Sequence, residues 1–266
     1  MGYGRVHESG TVAAMDPLHL IRLVLDRRSV LRIGARHRLG HAADEGALLH
    51  AGLSQLFATS TDPVKVPLCT FAVDNLHAAA RRDPEALPLL AYSPVDAVAL
   101  TAAMGPAGSE LVRECRSREM PEFSVGQRLG FRTRVCPVTR TRKPGSRPLA
   151  TNRHGRLRHR EMDAFVHATL GLSQEARVDR EAVYARWLDG QLRRGGASRL
   201  ERGELVEFSR EGMRRGGGAR LERPNAVLEG VLAIEDPQAF RALLARGVGR
   251  HRAFGFGMLL LRPTST

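Results

Sequence analysis

Apolar and polar positions divide the chain into two runs of elements in the same order. "DPLHLIRLVLD" (16–26) is nearly continuous in apolar residues and predicts a first strand. The basic stretch "RRSVLRIGARHRLGHAADE" (27–45) reads as a loop or long arm. In "GALLHAGLSQLFA" (46–58), Leu49, Leu53, Leu56 and Phe57 recur every three or four residues and predict a helix. "VPLCTFAVDN" (66–75) and "LPLLAYSP" (87–94) read as two short strands. "PVDAVALTAAMG" (94–105) is a short helix, and "ELVRECRSREMPEF" holds an edge strand. The order is β-α-β-β-α-β, that of a ferredoxin-like unit.

The second run begins at "GQRLGFRTRVCPVTRT" (126–141). There Leu129, Phe131, Thr133 and Val135 alternate with Arg128, Arg132 and Arg134, which predicts a strand with one buried and one cationic face. "EAVYARWLDGQLRR" (181–194) is an amphipathic helix closed by Gly195 and Gly196. "RGELVEFSRE" and "AVLEGVLAIED" are strand candidates. "DPQAFRALLARGVG" is a helix with Asp236 as N-cap, Pro237 at its first position and Gly247 as its stop. "AFGFGMLLLRP" predicts the last strand. The expected fold is α+β: tandem ferredoxin-like (RRM-like) domains at 16–125 and 126–266, a flexible tail at 1–15, and an Arg-rich insertion near 143–175. The opening residues read as such a tail or as an upstream start, with Met15 as the more natural beginning.

Charge gives this frame a direction. Residues 1–125 carry 13 Lys+Arg against 14 Asp+Glu, whereas residues 126–266 carry 28 against 14. All but Lys65 and Lys143 of these cations are arginine, whose planar fork holds phosphate bidentately and stacks on bases. The asymmetry points to nucleic acid or an anionic membrane surface. No basic amphipathic helix with a Trp/Phe/Leu face is apparent, so a membrane is the weaker reading. Between Cys136 and Arg160 stand Arg140, Arg142, Lys143, Arg147, Arg153, Arg156, Arg158 and Arg160 without an acid among them. A run this dense repels itself unless an anion is bound. Cys69, Cys115 and Cys136 are odd in number and form no C-x-x-C, which argues against a disulfide framework or a zinc site and fits a reducing cytoplasm.

In the segment "GVGRHRAFGFGMLLLRP" (247–263), Gly247, Gly249, Gly255 and Gly257 surround Arg250, His251 and Arg252. Glycine-rich turns can aim backbone N–H groups at a phosphate. The alternative is a flexible turn that only leads into a strand. The segment lacks the strand-to-helix order and Gly-Lys-Ser/Thr ending of a P-loop.

This loop, G-x-G-R-x-x-x-F-G-x-G, behind two ferredoxin-like runs resembles the repeat-associated RNA-processing proteins of CRISPR systems, in particular the CasE type of the Cas-six superfamily. "FSVGQRLGFRTRVCPV", "LEGVLAIEDPQAFRALLARGVG" and "LLHAGLSQLF" carry the resemblance further. It implies a metal-independent, cofactor-free endoribonuclease. Such an enzyme binds the repeat hairpin and cleaves at its 3′ base by 2′-hydroxyl attack, leaving a 2′,3′-cyclic phosphate. It implies retention of the mature RNA in a complex with other effector subunits. The alternative is a non-catalytic subunit holding the RNA handle. By the resemblance, His50 is the catalytic histidine. Imidazole, with a pKa of ~6.5, suits proton transfer, and arginine suits the charge of the phosphorane. The sequence departs from the family at three places: Ala47 stands where a tyrosine is common, no lysine matches the second-domain lysine, and Cys136-Pro137 replaces Asn-Pro. By these departures the histidine is displaced or arginines carry the chemistry, with Arg22, Arg36 and Arg38 as further catalytic candidates; the arginine wealth, the inserted segment and the missing lysine resemble the divergent type IV branch (Csf-five).

Overall fold

The computed structural model describes residues 17–37, 45–57, 68–73, 83–105, 108–141, 160–173, 177–213 and 221–264. The expected tail, Arg38, and the cations Arg142, Lys143, Arg147, Arg153, Arg156 and Arg158 lie outside them, and Arg160 is described by its backbone only.

The first sheet is built from β1 (His19–Asp26), β2 (Thr70–Val73), β3 (Ala86–Ser93) and β4 (Val112–Glu119), in the order β2-β3-β1-β4. All pairings are antiparallel, with Leu23 of β1 opposite Leu89 of β3 and Cys115 of β4. One face carries Ile21, Leu23 and Leu25, each fully buried. Each contributes about 1.5–3 kcal/mol of hydrophobic stabilisation. Helices α1 (Arg27–Arg36) and α2 (Glu45–Leu56) cover that face, followed along the chain by α3 (Ala97–Ala102) and α4 (Gly108–Leu111).

Helix α1 corrects the reading of 27–45 as an arm over Arg27–Arg36; residues 38–44 lie outside the described residues. The Asp26 side chain accepts the Ser29 backbone N–H and caps the helix, and Val30 and Ile33 turn inward. Val30 packs against Gly52 of α2, where a β-carbon would still be 3.6 Å from its methyl. Four arginines and a glycine in ten residues hide this narrow apolar stripe from a sequence reading.

The second sheet comprises β5 (Arg128–Val135), β8 (Ser198–Met213), β9 (Leu221–Ile234) and β10 (Leu260–Pro263), in the order β10-β5-β9-β8. With helices α6 (Arg180–Leu192) and α7 (Pro237–Arg246), it repeats the topology of the first, and the expected tandem ferredoxin-like fold is present. Between β5 and α6 stand the hairpin β6 (Val138–Thr141) and β7 (Arg160–Asp163) and the short helix α5 (Ala164–Thr169).

The predicted final strand is shorter than its apolar run. Residues Arg252–Phe254 form a 3-10 turn, and Gly255 and Gly257 take φ of 80° and 84°, off the extended backbone. Phe256, Met258 and Leu259 are buried without joining the ladder, and β10 is an edge strand ending in Pro263. The halves are joined by buried hydrogen bonds: the Tyr92 hydroxyl donates to the Leu259 carbonyl (2.9 Å) and the Thr70 hydroxyl to the Leu244 carbonyl (3.3 Å).

Candidate functional site

A cleft of about 1060 Å³ opens where α2 and β2 of the first half meet the glycine-rich loop, β6 and α6 of the second. Its lining brings His50 together with Arg140, Arg194, Arg250, His251 and Arg252. His50 is exposed beside the buried stripe of Leu49, Leu53 and Leu56, so its helix packs while its ring faces the cleft. The ring lies against Phe254, with centroids 5.1 Å apart, and the same phenyl ring lies 6.5 Å from His251.

The loop glycines are needed for packing within the protein. A β-carbon on Gly46 would lie 2.4 Å from the Phe254 carbonyl oxygen, so α2 sits directly on the 3-10 turn. Gly247 (φ 69°) abuts Thr70, and Gly249 (φ 73°) abuts the Trp187 ring. The Trp187 indole in turn donates to the Val138 carbonyl. The backbone N–H groups of Gly247, Val248, Phe254, Gly255 and Gly257 donate to protein carbonyls. The loop is therefore a clasp between the halves, and its side chains Arg250, His251 and Arg252 are what it presents to the cleft.

One carboxylate organises that presentation. Glu161, on β7, accepts from Arg223, from Arg250 Nε (2.6 Å) and from His251 Nε2 (3.3 Å). The His251 hydrogen bond and the charges of Arg223 and Arg250 hold its pKa at about 2, against the opposing effect of burial. Glu161 was invisible in a sequence reading centred on cations. Its one signal is position: it is the first acid after the 25-residue basic window. Phe254 and Trp187 were likewise missed as cleft residues.

The other sequence candidates are spread out. Arg128, Arg132 and Arg134 do form the polar face of β5, but cross-strand acids neutralise it: Glu201, Glu229 and Glu211 respectively. Arg134 also stacks over Phe256 at 4.2 Å. Arg22 pairs with Glu114 and lines a separate groove of about 790 Å³ with Leu20, Tyr92 and Leu261, away from His50. Arg36 is exposed in the last turn of α1 and does not line the cleft. Among the described residues, no group of three His, Cys, Asp or Glu is gathered for a metal, and no helix is long and apolar enough to cross a membrane.

Several solved structures of CRISPR proteins share this arrangement. The chain is 20% identical to the CRISPR endoribonuclease Cse3 bound to 19 nt RNA, with a TM-score of 0.58 over 93% of this chain and all of that one. It is 22% identical to Cas6e from Escherichia coli str. K-12, with a TM-score of 0.53 over 92% of this chain and 100% of the other. Against Thermus thermophilus Cse3 bound to an RNA representing a pre-cleavage complex, identity is 20% and the TM-score 0.56, over 93% and 100% of the two chains. These likenesses establish a shared fold. No curated protein matches the chain significantly by sequence. The model of one family, CRISPR associated protein, matches residues 18–263, which span nearly the whole chain, and the chain belongs to that family.

Proposed function

We propose that this protein is a CasE-type endoribonuclease that matures CRISPR RNA. The observation that carries this reading is the single cleft holding His50 with Arg140, Arg250 and Arg252, in a fold shared with RNA-bound CRISPR endoribonucleases. The substrate is the repeat hairpin. A-form RNA presents a deep groove that side chains cannot read, so recognition rests on shape and backbone phosphates. The reaction needs no metal. A cleft histidine assists transfer of the 2′-hydroxyl proton, the 2′-oxygen attacks the adjacent phosphorus, and the bond to the 5′-oxygen breaks. Arginines at the cleft offset the charge that grows on the phosphorane.

In this reading residues 16–125 and 126–266 act as two domains, and the scissile phosphate lies between them, against α2 and the glycine-rich clasp. The cleaved hairpin stays on the second domain and passes with the protein into a complex with other effector subunits. Turnover is then limited to one event per protein.

The test is incubation of protein with repeat RNA in EDTA, followed by end mapping. A 2′,3′-cyclic phosphate on the upstream fragment and a 5′-hydroxyl on the downstream fragment are expected. Tight binding without cleavage, with or without added divalent metal, would establish the RNA-holding alternative instead. Cleavage abolished by chelator alone would overturn the metal-free chemistry.

A further inference from the structure

Nine described positions have φ in the left-handed region, and eight of them are glycine. The exception is His251, at φ 63° and ψ 27°, in the middle of a loop that uses glycine at 247, 249, 255 and 257. A β-carbon is disfavoured there, and a non-glycine residue in that conformation is held by its surroundings. An ion-pair cluster holds it: Nε2 of His251 meets Glu161, which is itself fixed by Arg223 and Arg250, and the side chain is largely shielded, at 15% exposure. At the cleft, one aromatic ring has both imidazoles as neighbours: the Phe254 centroid lies 5.1 Å from that of His50 and 6.5 Å from that of His251.

We propose that His251 is the second imidazole of the cleavage site, the proton donor to the leaving 5′-oxygen, with Glu161 as the carboxylate that positions it. This rests on the endoribonuclease reading above and assigns its two proton transfers to separate residues. Transesterification needs one group that enters neutral and one that enters protonated. A carboxylate is an acceptor only, so the nitrogen facing Glu161 carries a proton. The remaining nitrogen, Nδ1, is the one assigned to the substrate, His251 being a lining residue of the cleft. The imidazole held by a carboxylate is given the donating role. His50, with Phe254 and the cleft arginines as its neighbours, takes the accepting role. The atoms balance. The 2′-hydroxyl proton passes to His50, the 2′-oxygen–phosphorus bond forms, and the phosphorus–5′-oxygen bond breaks. The proton of His251 passes to the 5′-oxygen, and nothing is oxidised or reduced.

The test uses repeat RNA in two forms, natural and with sulfur in place of the bridging 5′-oxygen at the scissile phosphate. A thiolate leaves without protonation, so a missing general acid is not needed for it. The variants are His251→Gly, which relieves the backbone, and His251→Asn, which tolerates the left-handed region and retains a donor for Glu161. On natural RNA both are expected to cleave roughly 100- to 1,000-fold more slowly than wild type. On the thiolate RNA they are expected within a few-fold of wild type, whereas His50→Ala stays slow on both. Glu161→Gln should follow the His251 pattern with a smaller loss.

Wild-type rates on natural RNA in the His251 variants would overturn the proposal. So would equal losses on both substrates, which mark a structural role, and so would thiolate rescue of His50→Ala instead. Wild-type protein that cuts neither substrate would sink the endoribonuclease reading itself, a result distinct from all three.

Discussion

Gly46 and Phe254 meet with no room for a side chain: a β-carbon on the glycine would stand 2.4 Å from the phenylalanine's backbone carbonyl oxygen. One belongs to the helix that carries His50, the other to the turn next to His251, so this contact sets the width of the cleft. Gly46→Ala must push backbone away from backbone. It should cost roughly 1–3 kcal/mol of stability and displace the loop, with slower RNA cleavage. Gly52→Ala in the same helix is the control. Its β-carbon would meet only the Val30 methyls, at 3.6 and 3.9 Å. Helix propensity then makes it neutral or stabilising by up to about 1 kcal/mol. Urea midpoints and single-turnover rates of the two variants should diverge in opposite directions.

Glu161 gives the clasp a pH dependence with a defined sign. Its carboxyl is held at about 2 in the folded protein, below its ordinary 4.5, first by the His251 hydrogen bond and then by Arg223 and Arg250. A depressed folded pKa stabilises fully above the unfolded value and fades as pH falls through the folded one. The ion-pair contribution is therefore intact above about pH 4.5 and lost towards about pH 2. The shift corresponds to on the order of 3 kcal/mol. Denaturant unfolding of wild type and Glu161→Gln across that window should show a gap that closes as the pH drops. A gap that stays constant to pH 2 would mean that Glu161 is not held by charge.

Much of this architecture was legible from periodicity because the core-facing residues of β1, α6 and α7 keep a regular spacing. What was not legible follows from partners distant in sequence. The arginines of β5 looked like a free cationic face, yet their acids stand on strands 70 to 100 residues later, and pairing across a sheet leaves no local mark. Helix α1 was hidden because its apolar stripe is only Val30 and Ile33 wide. The glycine-rich loop was identified as important, but its glycines serve close packing against Thr70, Phe71 and Trp187, which no single-chain pattern could show. His50 came from resemblance alone. Glu161, His251 and Phe254 became a unit only when the inserted hairpin was seen folded back on the loop.

The paired and unpaired arginines predict different mutational phenotypes. Arg132 is bound to Glu229, itself shared with Arg262, whereas Arg140 is exposed at the cleft. Replacing Arg140 by Ala should weaken binding of repeat RNA and reduce the slope of log affinity against log salt by about one phosphate contact. Arg132→Ala should leave that slope nearly unchanged and lower stability instead, because it leaves the partly buried Glu229 carboxylate with only one of its two partners, the more exposed Arg262. Filter binding at several salt concentrations, alongside thermal melts, separates the two. A reduced slope for Arg132→Ala would return the β5 face to the RNA-binding surface.

Asp26 tests whether helix α1 matters to the first half. Its carboxylate caps the helix through the Ser29 N–H and also accepts from Arg113 of β4. Those contacts hold its pKa at about 2. Asp26→Ala removes the cap, for which a loss of about 1 kcal/mol is expected, while Asp26→Ser keeps a capping oxygen and should recover most of it. Equal losses in the two variants would assign the effect to Arg113 rather than to the cap.

Tyr92→Phe addresses how the halves are joined. The hydroxyl is buried, and burial pushes its pKa well above the ordinary phenol range. It is held there as a neutral donor to the Leu259 carbonyl, in the segment that leads into β10. Removing the oxygen leaves that carbonyl buried without its donor, at a cost of roughly 1–3 kcal/mol. Neither residue lines the His50 cleft, so the loss should appear as a lower urea midpoint, with the folded protein's cleavage rate within a few-fold of wild type. An unchanged midpoint would mean that the orphaned carbonyl finds water, and that the seam between the two sheets is open to solvent at β3.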